Sequence, residues 1–167
     1  GHRAGWDARY EVTAALKAAP AAGVCVPFVE SRGNLEKVIS AVRHVETTAL
    51  AGINIPAKKR EPWPLNPESE LLVVAMIESE EGVRNAQEII NTPGLGAIWA
   101  VHVSDEAMAV ILKMCKEKGV RMLIQATPED IKAKVDAGYQ MICVGWEFQL
   151  LQKELGVTVQ KMRSKLK

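Results

Sequence analysis

Three carboxylates stand where an apolar run stops and a helix-like segment begins: Glu30 after Gly23–Val29, Glu78 after Leu71–Ile77, and Asp105 after Gly96–Val103. Side chains alternate across a strand, so Glu78 falls on the side of Leu72, Val74 and Met76, and Glu30 on the side of Val26 and Phe28. A carboxylate at the end of a buried strand is costly unless something compensates it. A divalent metal, an arginine or a backbone amide would serve at Glu78. Hard cations take carboxylates and water, so Asp105 is a candidate second oxygen ligand. The competing account of Asp105 is structural, because Ser104-Asp105-Glu106 also reads as a helix start. Ser79 reads as a cap in the same way, with Glu80 and Glu81 complementing the helix dipole. His102, inside an apolar run, reads as a core histidine rather than a catalytic base. There is no GxGxxG, P-loop, GxSxG or HExxH pattern.

The elements that must position these residues follow from periodicity. Residues 7–19 are expected to form a helix capped by Asp7, and 33–46 an amphipathic helix through Leu35, Val38, Ile39, Val42 and Val45. Residues 47–69 hold Pro56, Pro62, Pro64 and Pro67 with Lys58, Lys59 and Arg60, a long loop of the kind that often carries function. From Leu71 the pattern is regular: strand Leu71–Ile77, helix Ser79–Asn91, strand Gly96–Val103, helix Ser104–Lys118, strand Gly119–Gln125, helix Pro128–Ala137, strand Gly138–Gly145 and helix from Trp146. Continuous apolar strands alternating with helices through short connections imply parallel neighbours. The expected fold is therefore a single α/β domain over residues 1–167, built from parallel β/α units. In such folds ligands bind at the C-terminal strand ends, where Glu30, Glu78 and Asp105 lie. Five strands in 167 residues fall short of a complete eight-stranded barrel, which usually needs about 200–250 residues, and would also suit an open sheet.

Composition narrows the partners. Lys plus Arg total 21 and Asp plus Glu 20, for a net charge of +1, which gives no reason to expect nucleic acid. The basic stretch Lys153–Lys167 reads as a solvated helix face. No apolar run approaches the roughly 18–20 residues of a membrane span. Arg3, Asp7, Arg9 and Glu11 interrupt any signal-peptide pattern. Cys25, Cys115 and Cys143 form no CxxC pair and sit in apolar runs, so buried reduced thiols and a cytoplasmic location are expected.

Four stretches, taken in order, resemble the HpcH/HpaI aldolase and citrate-lyase family. They are Gly23–Ser31 (GVCVPFVES), Met76–Val83 (MIESEEGV), Gly96–Trp99 running to Ser104-Asp105, and Ile142–Gly145 (ICVG). The resemblance runs from about Arg3 to Glu147. It implies the later part of a TIM-type (β/α)8 barrel, because the family's first strands, including the one carrying its catalytic histidine, have no counterpart. It implies Mg²⁺ or Mn²⁺ and a carbon–carbon lyase reaction next to pyruvate or a related 2-oxo acid, through a metal-bound enolate. Carried over by position, Glu78 and Asp105 would be metal ligands, and Arg3 would grip the substrate carboxylate bidentately. A homo-oligomer, commonly a hexamer, is also implied. Met76 stands where the family has glutamine, and His102-Val103 where it has Gly-Pro. These departures keep open a catalytically inactive binding or structural subunit. An unrelated small-molecule-binding α/β domain is a further alternative.

Overall fold

The computed structural model describes residues 11–12, 14–16, 21–48 and 71–166. Arg3 and the proline-rich segment 49–70 lie outside them. Five strands, β1 (Gly23–Val26), β2 (Leu72–Ile77), β3 (Ala97–Ala100), β4 (Arg121–Gln125) and β5 (Met141–Cys143), form one sheet in sequential order. The helices between them are α1 (Arg32–Thr48), α2 (Glu80–Arg84), α3 (Ala86–Ile90), α4 (Asp105–Lys118) and α5 (Ile131–Ala137), and α6 (Glu147–Lys165) follows β5. The chain forms two compact units, Gly1–Leu123 and Ile124–Lys167, with the boundary inside β4.

In the first unit β1 pairs parallel with β2, β2 with β3, and β3 with the start of β4. The parallel β/α expectation holds. The sequential order is that of a barrel wall, not of a doubly wound sheet, whose order reverses at a switch point. Register separates two faces. The row Ala75–Ile98–Met122 is at most 1% exposed, and Val73 and Ile77 are fully buried. Helices cover this side: α1 packs on β2 and α3, and α4 on β3 and α3. Leu35, Val38, Ala41, Val42 and Val45 give α1 its buried stripe. On the opposite face the row Met76–Trp99–Leu123 is only half-buried.

The second unit holds the end of β4, where the Ala126 N–H donates to the Cys143 carbonyl of β5 at 3.1 Å. It also contains α5 and α6, in which no residue is buried.

Element ends differ from the sequence reading for local reasons. β1 stops at Val26 because Pro27 has no N–H for the ladder and Phe28 turns left-handed at φ 52°. Phe28 is consequently exposed, and the expected alternation of Val26, Phe28 and Glu30 on one side fails. β3 stops at Ala100 because His102 turns left-handed at φ 56°. His102 is thus an exposed turn residue, not a core histidine. The helix expected over 79–91 is two short ones, jointed at Asn85, which closes α2 and opens α3 at φ −94°, ψ 9°. Its side-chain amide donates to the Glu30 carbonyl at 2.7 Å. α5 begins at Ile131 rather than Pro128, because the Asp130 carboxylate accepts from the Thr127 N–H and hydroxyl and holds residues 127–130 as a turn. α4 ends as expected for a helix followed by glycine, with Gly119 left-handed at φ 69°.

Ile98→Ala should cost about 3–4 kcal/mol, within the usual range for emptying a fully buried aliphatic site. Urea unfolding followed by circular dichroism would measure it. Loss under about 1 kcal/mol would contradict the burial of this row.

Candidate active site

Glu78 is the residue after β2, half-buried at the C-terminal end of an interior strand of the first unit. Its Oε1 accepts a hydrogen bond from the Phe28 backbone N–H at 2.9 Å. One residue on, the Val29 N–H donates to the Met76 carbonyl at 3.0 Å. The carboxylate therefore anchors the loop after β1, and the partner that its burial demanded includes a backbone amide. Its chemistry leaves a second oxygen with lone pairs for another donor or a cation.

The rim on either side of Glu78 is conformationally unusual. Phe28 after β1 and His102 after β3 are the only non-glycine residues with positive φ among the described residues. Such conformations cost roughly 1–3 kcal/mol each and cluster at functional sites. Sequence reasoning missed both. The signal for Phe28 was Pro27 at the strand end. For His102 it was the family's glycine at the same place, the residue type that adopts positive φ freely.

Asp105 is the first residue of α4 and exposed. Ser104 caps the helix, its Oγ accepting from the Ala107 N–H at 3.2 Å. Ser79 does the same for α2, accepting from the Gly82 N–H at 3.1 Å. Both cap assignments read from the sequence hold. Glu30 lies half-buried in the β1–α1 loop, tied through its carbonyl to Asn85. Glu30, Glu78 and Asp105 thus all follow strand ends of neighbouring strands. Among the described residues no group of three or more His, Cys, Asp or Glu is gathered to hold a metal. Mg²⁺ keeps several waters and takes one or two carboxylates, the donor type that Glu78 and Asp105 each supply. Arg3 lies outside the described residues.

Cys25, on β1, is an exposed residue, contrary to expectation; among the described residues β1 is paired on one side only, by β2. Its thiol is nevertheless pushed up to about 11, first by desolvation around the sulfur and second by the negative charge of Glu78. Cys115 is buried on α4 as expected, and burial pushes its thiol up to about 12. Cys25, Cys115 and Cys143 are all free.

Parallel strands in sequential order, with carboxylates at their C-terminal ends, define a chain of the β/α-barrel class. The family model for HpcH/HpaI aldolase/citrate lyase matches residues 7–152, and the chain belongs to that family of aldolases and lyases. A HpcH/HpaI aldolase/citrate lyase family protein from Burkholderia cenocepacia J2315 is similar in structure, with TM-score 0.69 and 22% identity over 93% of this chain and 70% of its own. The HpcH/HpaI aldolase of Desulfitobacterium hafniense DCB-2 gives TM-score 0.69 at 16% identity, over 93% of this chain and 68% of its own. Macrophomate synthase gives 0.66 at 18%, over 94% of this chain and 63% of its own. At these identities the structural likeness speaks for the fold. No curated protein matches the sequence.

Two substitutions probe the rim. His102→Val should destabilise by about 1–2 kcal/mol, since a β-branched residue resists positive φ, whereas His102→Gly should not destabilise. Chemical denaturation of the pair reads this directly, and equal effects would refute a left-handed residue there. Glu78→Gln should speed alkylation of Cys25 by iodoacetamide near pH 9, because removing the negative charge lowers the thiol's pKa. An unchanged or slower rate would show that Glu78 and Cys25 do not sense one another.

Proposed function

We propose that this chain is a divalent-metal-dependent carbon–carbon lyase that acts on pyruvate or a related 2-oxo acid. The observation that carries the reading is Glu78. It follows the interior parallel strand β2 within Met76-Ile77-Glu78-Ser79, flanked by two left-handed residues, in a chain of an aldolase and lyase family. Glu78 and Asp105 would hold Mg²⁺ or Mn²⁺, and Arg3 would bind the substrate carboxylate. The ion when bound would act as a Lewis acid toward developing negative charge. Beneath Glu78 the half-buried row Met76–Trp99–Leu123 offers an apolar floor that limits water around a bound oxo acid. The free cysteines suit a reducing, cytoplasmic setting.

A second reading has its own support. The Glu78 carboxylate already anchors a backbone amide, and Met76 replaces the polar residue of the resemblance. A family member retained as a binding or structural subunit would keep the first feature and lose the chemistry.

Proton exchange separates the two. Pyruvate methyl protons, followed by NMR in deuterated water, should exchange only with protein and Mg²⁺ or Mn²⁺ present, and chelation should stop the exchange. No exchange with any divalent ion would overturn the lyase reading in favour of the subunit. Glu78→Gln should abolish the exchange. It should cost the metal-free protein no more than about 1.5 kcal/mol, because a glutamine oxygen still accepts the Phe28 N–H. A much larger loss of stability with exchange intact would make Glu78 purely architectural.

A further inference from the structure

Phenylalanine is an unexpected residue for the turn that ends β1. Pro27 has no N–H for the ladder, so the strand stops there, and the chain turns left-handed at the next residue, φ 52°. Glycine adopts that conformation freely and asparagine tolerates it, whereas a bulky side chain there is an outlier. Phe28 carries a second cost, because it is 64% exposed to water. The turn alone therefore gives no reason for an aromatic ring at this position.

The position of the ring supplies one. The Phe28 N–H donates to Glu78 Oε1 at 2.9 Å, so the side chain branches from the carbon next to the nitrogen that the carboxylate holds. The two following residues are held as well, Val29 by the Met76 carbonyl at 3.0 Å and Glu30 by the Asn85 amide at 2.7 Å. With its backbone fixed, the ring has two side-chain torsions left to order, and a rigid aromatic loses little entropy when a ligand covers it. This flank of Glu78 is apolar below the ring too. Register sets Cys25 opposite Val74, on the face of β2 that also carries Met76. Cys25 is exposed and Met76 half-buried. Such a wall suits a substituent that brings no polar groups, and a planar one best, since aromatic faces stack. A hydroxylated chain laid against it would shed water and receive no hydrogen bond in return.

We propose that Phe28 is a specificity-determining residue: it is the wall against which the aldehyde partner of pyruvate lies, and it selects aldehydes with an apolar, above all an aromatic, substituent. This assignment rests on the lyase reading and adds to it the class of the second substrate. In the step concerned, pyruvate gives up a methyl proton and its carbon bonds to the aldehyde carbon. The aldehyde π pair moves to oxygen, which takes up a proton. Pyruvate and aldehyde thus join as one hydroxy-oxo acid, with nothing else consumed.

The test compares two aldehydes, benzaldehyde and glyceraldehyde, each added to pyruvate with Mg²⁺ or Mn²⁺ present. The unaltered protein should favour benzaldehyde in kcat/KM. Phe28→Asn suits the left-handed turn and removes the ring, and should lower the benzaldehyde-to-glyceraldehyde ratio about tenfold. Phe28→Tyr keeps the ring and should hold the ratio within about threefold. A merely structural role would lower both rates together and leave the ratio alone. Urea unfolding gives a readout apart from activity: Phe28→Asn should unfold at no lower urea concentration than the unaltered protein, since an exposed, strained residue has gone. A lowered midpoint would mean that the ring serves packing, and would overturn the assignment. Addition of both aldehydes with an unchanged ratio in Phe28→Asn would overturn it while leaving the lyase reading intact. Failure of the unaltered protein to exchange pyruvate protons or to add either aldehyde would overturn both.

Discussion

β2 is the constraint on which the first unit rests. Its backbone is paired on both edges by parallel neighbours, so its register fixes where the loops after β1, β2 and β3 emerge. Its Val73, Ala75 and Ile77 are fully buried under helices, and a one-residue slip would put Val74, Met76 and Glu78 there instead. The charge of Glu78 forbids that slip, because a carboxylate beneath α1 would have no compensating partner. The same residue that is the candidate ligand thus also pins the register that presents it.

Much of this architecture was legible from the chain. LLVVAMI and the first part of GAIWAVHV are the strands their apolar runs predict, and Ser79, Ser104 and Gly119 punctuate helices as their chemistry dictates. The failures share one cause. Periodicity describes regular backbone, and the rim is where backbone ceases to be regular. The apolar run of GVCVPFV continued through Phe28, but a ladder ends where an N–H is missing, and the left-handed turn that followed reversed the side chain's direction. His102 was misread in the same way. Its neighbours were apolar, but it lay beyond the last paired residue. The joint at Asn85 was hidden because an Asn within a helical pattern announces its side-chain bond only when the acceptor, distant in sequence, is known.

The candidate site was legible to a lesser depth. Position after a strand identified Glu78, Glu30 and Asp105, and all three emerge from neighbouring strand ends. What alternation could not supply was the particular partner of Glu78. A backbone amide fifty residues away in sequence is a tertiary fact. Nor does a helical pattern reveal which faces go uncovered: the basic stretch Lys153–Lys167 reads as a solvated helix face, and α6 also exposes Phe148, Leu151, Leu155 and Met162.

The loop after β1 is fastened to the following β/α unit by four separate bonds: Phe28 N–H to Glu78, Val29 N–H to the Met76 carbonyl, the Glu30 carbonyl to Asn85, and Arg32 N–H to Glu88 at 3.1 Å. No one of these is strong. Together they tie the loop to β2 and to the helices that follow it, so its opening is coupled to theirs. The rim beside Glu78 is thus cross-tied to the strand and helices behind it. Any rearrangement that admits a ligand there must be borne by other segments.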